Sequence, residues 1–208
     1  MFKAHKNDFL LAGTIGFASG FFGVVSLACV RAQAGLLMFV FTSLLFPVLT
    51  VCGLAVGLVL ARSRPLFFQI VKFGMVGGFN TLLELAVVNV LIVFTNASGG
   101  LSFVAFKTVS FLMAAMSAYF WNKNWTFGNR ARSSMREFTV FAVGGFLGLV
   151  INVSVATFLV SWVGPRVGFA PILWLNLSVI IAVLVGMTWN FLFQRRMIFR
   201  SKVVSPAA

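Results

Sequence analysis

The sequence predicts an all-α membrane protein of about six transmembrane helices, and three observations lead there. Of 208 residues, 61% are hydrophobic and 9% charged, with a mean hydropathy of +1.05. No soluble domain of this size covers itself with so little polar surface. Apolar runs at or above ~20 residues, the length that crosses a hydrocarbon core, recur at 9–30, 35–61, 67–95, 101–121, 137–163 and 170–193. The last two thirds read as one apolar pair written twice. Phe73-Gly74-Met75-Val76-Gly77-Gly78-Phe79 opens one copy and Phe141-Ala142-Val143-Gly144-Gly145-Phe146 the other. Each is followed by a second apolar run that ends on an amide, a base and, further on, a Phe: Asn122-Lys123-Asn124-Trp125-Thr126-Phe127 and Gln194-Arg195-Arg196-Met197-Ile198-Phe199.

The first span opens on Lys3, His5 and Lys6, and Ala32-Gln33-Ala34 resembles a cleavage site. Its apolar run is longer than the ~7–15 residues of a signal peptide, so a retained helix is expected. Gly13, Gly16, Gly20 and Gly23 lie along it, and Gly16/Gly20 has the small-xxx-small spacing that lets helix backbones approach. A packing seam is the main expectation, with a dimer contact or an opening seam as alternatives. Pro47 is expected to kink the second span. Cys29 and Cys52 fall inside apolar spans and read as small packing residues. His5 is the only histidine, no metal-ligand spacing occurs, and no cofactor is expected.

Arg62-Ser63-Arg64-Pro65 separates this hairpin, 1–65, from a four-helix core, 66–200, made of repeats 66–127 and 137–199; a cytoplasmic tail, 201–208, follows. Each repeat holds an even number of spans, so both copies enter from the same side. The repeats should therefore be parallel, related by an axis along the membrane normal and able to enclose a site or groove. The loop 122–136 is the longest polar segment, with Asn129-Arg130-Ala131-Arg132-Ser133-Ser134 at its centre.

The net charge of +13 sits between apolar spans and not on a polar domain, which argues against nucleic acid. With both termini cytoplasmic, 13 of the 16 bases fall inside, leaving Arg31, Lys107 and Arg166 outside. That distribution obeys the positive-inside rule.

Only three carboxylates occur, Asp8, Glu84 and Glu137. Asp8 and Glu137 sit at span edges, where water or headgroups are expected to solvate them. Glu84 lies mid-span, where a carboxylate costs at least about 2.5 kcal/mol unless paired, protonated or facing water. Asn80 is one turn earlier on the same face, and Lys107 lies on the next, antiparallel span. A Glu84–Lys107 contact, direct or through water, is expected, either as a structural ion pair or as a polar site lining a path. When Gly77-Gly78 is aligned with Gly144-Gly145, Glu84 falls on Ile151 and Asn152 comes one position later, so the site should be asymmetric. Asn89, Asn152, Asn176 and Asn190 add polar groups within spans, as interhelical bonds of about 0.6 kcal/mol or as path-lining groups.

The two helix-end motifs offer amides and cations: Asn122, Lys123, Gln194, Arg195 and Arg196. Lys and Arg bind phosphate through charge-assisted hydrogen bonds. Tyr119, Trp121, Trp125 and Trp189 surround them, as an aromatic belt or as part of a phosphate-headgroup site. No nucleophile–base pair, carboxylate dyad or P-loop is present, so no enzyme is expected.

Val76-Gly77-Gly78-Phe79-Asn80-Thr81-Leu82-Leu83-Glu84-Leu85 together with Asn122-Lys123-Asn124-Trp125-Thr126-Phe127 resembles the GtrA-like family, whose helices carry a Val-Gly-Gly-x-Asn-Thr run closing on an acid and an amide–base–x-Trp-x-Phe ending. The resemblance spans about residues 66–200. Gln194 and Met197 replace the usual Asn and Trp, and the hairpin lies outside it. It implies a small multipass protein of cell-surface polysaccharide synthesis in the bacterial inner membrane, moving a polyprenyl-phosphate-linked sugar. Asn80, Glu84, Asn122, Lys123 and Trp125 match the family pattern, with Arg195 and Arg196 as second-copy counterparts. With Lys107 and Asn152 these form the candidate substrate-binding set. Lys123, Arg195 and Arg196 would receive the phosphate, and Asn80, Glu84 and Lys107 would line the path. The partners implied are the polyprenyl-phosphate sugar lipid, a membrane glycosyltransferase and a second copy of the chain. Two rivals stand beside translocation: a non-transporting partner of such a glycosyltransferase, and a proton-coupled exporter of small solutes using Glu84.

Overall fold

The computed structural model describes residues 6–31, 36–96, 100–129, 132, 134–163 and 171–199. They form six α-helices: α1 (Lys6–Arg31), α2 (Leu36–Ala61), α3 (Leu66–Thr95), α4 (Gly100–Trp121), α5 (Met135–Phe158) and α6 (Pro171–Phe193). No strand occurs among the described residues. Asn7–Cys29, Leu36–Ala61, Leu66–Thr95 and Met135–Asn152 each have the length and hydropathy to cross a bilayer. The chain is thus an all-α multipass membrane protein. Three π-helical turns extend the helices, at Asn122–Thr126, Leu159–Val163 and Gln194–Ile198. The fifth apolar run, expected as one span over 137–163, is continuous helix: α-helix as far as Phe158, then a π turn whose first carbonyl, Leu159 O, accepts the Trp174 indole N–H at 2.8 Å.

Helix ends follow local chemistry. Asn96, with φ of 52°, caps α3 in the left-handed conformation that Asn tolerates. Ser134 Oγ accepts the Glu137 backbone N–H at 3.1 Å, capping the start of α5. Glu137, half-buried, stands in that first turn, where a negative charge suits the helix dipole.

Two compact units divide the chain, the first ending at Gly128 and the second beginning at Asn129. In the first unit, α1 packs on both α2 and α3. Contacts along the α1–α2 seam run in opposite order: Thr50 Oγ1 donates to Ala12 O at 2.8 Å, and a Cβ on Gly20 would meet Thr42 O at 2.7 Å. Between them Gly16 lies against Pro47 and Thr50, so closely that no side chain fits. The Gly16/Gly20 seam is packing within the chain, with α2 as its partner. Gly53 and Gly57 repeat the device against Met75 and Val71 of α3. By contrast α1 and α3 run the same way, joined near one end by Asp8 and Lys72 and near the other by Asn89 Nδ2 donating to Ser26 Oγ at 2.6 Å. The core is Ala12, Ile15, Leu54, Ala61, Phe68, Val76, Phe79 and Trp125. Close packing of this kind holds helices together in lipid, where no hydrophobic force acts between them. The rest of α2 faces outward with apolar side chains, Leu37 being 86% exposed, as lipid contact requires.

The described helices of the second unit are an antiparallel pair. Gly144 lies under the Phe193 ring, Gly148 under the Asn190 amide, and Gly186 against Asn152 and the Gly148 carbonyl. Trp189 Nε1 donates to Gly144 O at 3.2 Å. Three small residues thus bring the α5 and α6 backbones together around the Asn152 and Asn190 side chains.

Candidate functional site

The site begins where α4 stops being an α-helix. Phe127 N–H donates to Asn122 O at 2.9 Å, five residues back, which makes Asn122–Thr126 a π turn. Side chains reinforce it: Thr126 Oγ1 donates to Asn122 Oδ1 at 3.1 Å, and Asn124 Nδ2 donates to Phe120 O at 2.8 Å. Gly128, with φ of 60°, supplies the left-handed residue that carries the chain away. Such single π turns occur disproportionately at functional sites. This one turns Asn122, Lys123, Trp125 and Thr126 into the protein, each buried, and leaves Asn124 exposed.

Three elements converge beside it. Lys72 Nζ of α3 lies 2.5 Å from Asp8 Oδ1 of α1, and Trp125 Nε1 donates to that same oxygen at 3.1 Å. Lys72 also reaches Trp125 O at 3.4 Å, and its ammonium lies 4.5 Å from the Phe68 ring centroid and 5.2 Å from that of Trp125. The ammonium thus has a carboxylate, a carbonyl and two aromatic faces, the partners a cation needs away from water. Asp8, expected to be solvated at a span edge, is 9% exposed, and Lys72, one of the 13 bases assigned to the inner side, is 7% exposed. Both are buried because α1 lies alongside α3 in the same direction, so each side chain covers the other. The signal available beforehand was rarity, since Asp8 is one of three carboxylates in the chain.

Lys123, a candidate phosphate ligand, is 3% exposed; its Nζ is 3.5 Å from Tyr119 Oη and 5.7 Å from that ring's centroid. Trp125, expected within an aromatic belt or a phosphate-headgroup site, is a core residue. Rings pass from Phe22 of α1 through Phe79 and Trp121 to Trp125, with centroids 5.9, 6.3 and 6.3 Å apart. Asn80 is buried; its Nδ2 donates to Val76 O at 2.7 Å, and its Oδ1 has no hydrogen-bond partner among the described residues. Glu84, one turn further, is half-buried. The Lys107 side chain lies outside the described residues, and with it the expected Glu84–Lys107 contact; so does that of Asn176.

In the second unit the ending repeats. Phe199 N–H donates to Gln194 O at 2.8 Å, giving the same five-residue bond, with Gln194 and Phe199 both buried. Arg195 and Arg196 are exposed. Across the α5–α6 seam half-buried Asn152 lies against Gly186 and Asn190 against Gly148, and Asn190 Oδ1 is buried without a partner among the described residues. Beside them an open apolar groove of about 470 Å³ runs along α6 from Ile181 to Leu192, with Ile151 of α5 on its other wall.

Among the described residues, no three His, Cys, Asp or Glu side chains are grouped to hold a metal ion. The first unit offers ammonium and indole donors at a helix end, chemistry for anions; the second unit, taken by itself, offers guanidinium donors at a helix end and apolar surface for alkyl chains. No curated protein and no solved structure matches the sequence. A family model, the GtrA/DPMS transmembrane domain, matches residues 72–201. That match opens on Lys72 and takes in both π-turn endings, so over well more than half its length the chain belongs to the GtrA/DPMS transmembrane-domain family.

Proposed function

We propose that the protein moves a polyprenyl-phosphate-linked sugar across the bacterial inner membrane. The family handles polyprenyl-phosphate sugar lipids; translocation is the finer reading. The observation that carries it is the pair of π turns, each led by a buried amide and carrying cationic residues at the end of an apolar helix. Phosphate is held by such donors, and the exposed Arg195 and Arg196 receive it first. In the first unit Lys123, packed against Tyr119, is the corresponding cation. Asn80, whose Oδ1 is buried and unpartnered among the described residues, accepts a sugar hydroxyl on the path, with Glu84 and Lys107 beside it. The second-unit groove supports contact with the prenyl chain. On this reading both termini are cytoplasmic and the protein is a carrier, not an enzyme, driven by the gradient of its lipid substrate. The test is transbilayer flux of a labelled polyprenyl-phosphate sugar in liposomes; equal rates with and without protein sink the proposal.

One observation favours a second reading. Lys72 and Lys123 are packed inside the protein, as suits a non-transporting anchor for a membrane glycosyltransferase. That reading requires co-purification with such an enzyme and full function in Glu84→Gln and Lys107→Met.

A further inference from the structure

Two donors from the family core, Lys72 Nζ and Trp125 Nε1, point at one oxygen atom, and that atom, Asp8 Oδ1, comes from outside the matched segment. An ammonium and an indole N–H aimed at a single anionic oxygen constitute an anion site. The Phe68 and Trp125 rings lie against the ammonium, and Asp8 of the first turn of α1 occupies the acceptor position. A carboxylate oxygen and a phosphate-ester oxygen are alike in charge and acceptor geometry for these two donors. Phosphate differs in having further oxygens for further donors, and Lys123 stands two residues before Trp125 on the same π turn.

The acceptor is also the member of the cluster best able to leave. Asp8 is in the first turn of α1, which begins at Lys6. First-turn N–H groups have no intrahelical partner, so that turn is the easiest part of the helix to unwind. Lys72 and Trp125, by contrast, are held within α3 and a side-chain-reinforced π turn.

We propose that Lys72 and Trp125 form a binding site for a phosphate-ester oxygen, and that Asp8 is the chain's own plug in it. The N-terminal hairpin is then a gate on the core: the plug keeps Lys72 neutralised until a phosphate exchanges for it. The identity of the ligand as a lipid phosphate rests on the proposed function; the plug does not. A plug closed about nine-tenths of the time weakens apparent affinity about tenfold, since only the open fraction binds.

The experiment uses the full chain in phosphatidylcholine nanodiscs, titrated in one arm with polyprenyl monophosphate in the bilayer and in the other with inorganic phosphate. The readout is the indole N–H resonance of Trp125, assigned by its loss in Trp125→Phe. In Asp8→Asn, affinity for at least one probe should rise about tenfold, and the added Lys72→Met should erase the gain. A gain with polyprenyl monophosphate alone identifies a lipid headgroup site, and a gain with both probes an aqueous phosphate site. A folded Asp8→Asn that binds neither probe more tightly overturns the proposal and leaves a structural ion pair. If Asp8→Asn does not fold, the wild-type titration decides: polyprenyl monophosphate or inorganic phosphate must shift the Trp125 resonance, and a resonance unmoved by both overturns the plug. Absent flux with the affinity gain retained retires translocation alone; flux without the gain retires the plug alone.

Discussion

The two π turns, Asn122–Thr126 and Gln194–Ile198, have the same backbone and opposite surroundings. Each closes with a Phe N–H on an amide-residue carbonyl, at 2.9 and 2.8 Å, and each buries that Phe. Yet Lys123 is 3% exposed, whereas Arg195 and Arg196 are on the surface. The first turn packs on α3 and meets α1 where Trp125 Nε1 donates to Asp8, while its Lys123 ammonium lies beside the Tyr119 ring; the second turn packs on α5, and its arginines face outward among the described residues. A local pattern is enough to wind the turn, but what packs on it decides whether its cations meet water. The glycines differ likewise. Gly77 has open space where a Cβ would stand, while its counterpart Gly144 lies under Phe193.

The comparison breaks first at the buried charges. Lys72→Ala removes one partner of a buried ion pair and should cost about 3–5 kcal/mol, read as a loss of thermal stability in detergent. Asp8→Asn with Lys72→Met should cost less than the single changes sum to, because no charge is left unpaired. The matching change in the second unit, Arg195→Gln with Arg196→Gln, should leave stability within about 0.5 kcal/mol while reducing flux. A stability loss there as large as that of Lys72→Ala would erase the contrast between the turns.

Next come the glycines. Gly144→Ala should cost about 1–3 kcal/mol through overpacking against Phe193. Gly77→Ala should be neutral or stabilise by up to about 1 kcal/mol, the helix-propensity gain. Equal thermal shifts in the two variants would contradict the asymmetric packing. The smallest effect is expected at the far clamp of α1 on α3: Asn89→Ala should cost about 0.6 kcal/mol, the usual worth of an interhelical hydrogen bond in a membrane. A loss as large as that of Lys72→Ala would mean that both ends hold the hairpin equally.

Much of this was legible residue by residue. The apolar runs located all six helices, because hydropathy over ~20 residues is a property of composition. The Gly16/Gly20 seam was legible from spacing, though its partner, α2, was not. Glu84 was legible as a carboxylate within an apolar span and Asn80 as its neighbour one turn earlier; that Asn80 Oδ1 is buried without a partner among the described residues was not. Lys123 was legible as a cation at a helix end but not as a buried one, since the same residues in a straight helix would project around its circumference. Asp8 and Lys72 read as two unrelated edge charges.

The sequence by itself determined the membrane class, the helix count and the paired amide–base–Phe endings, all of which depend on residues near one another in the chain. Only the tertiary structure decided that Asp8 and Lys72, 64 residues apart, are a pair. The reason is register: α1 and α3 run in the same direction, and the Gly16/Gly20 seam on α2 is part of what sets where α1 lies. A shift of one residue along that seam would turn the carboxylate about 100° around α1 and leave Lys72 buried without its counter-ion.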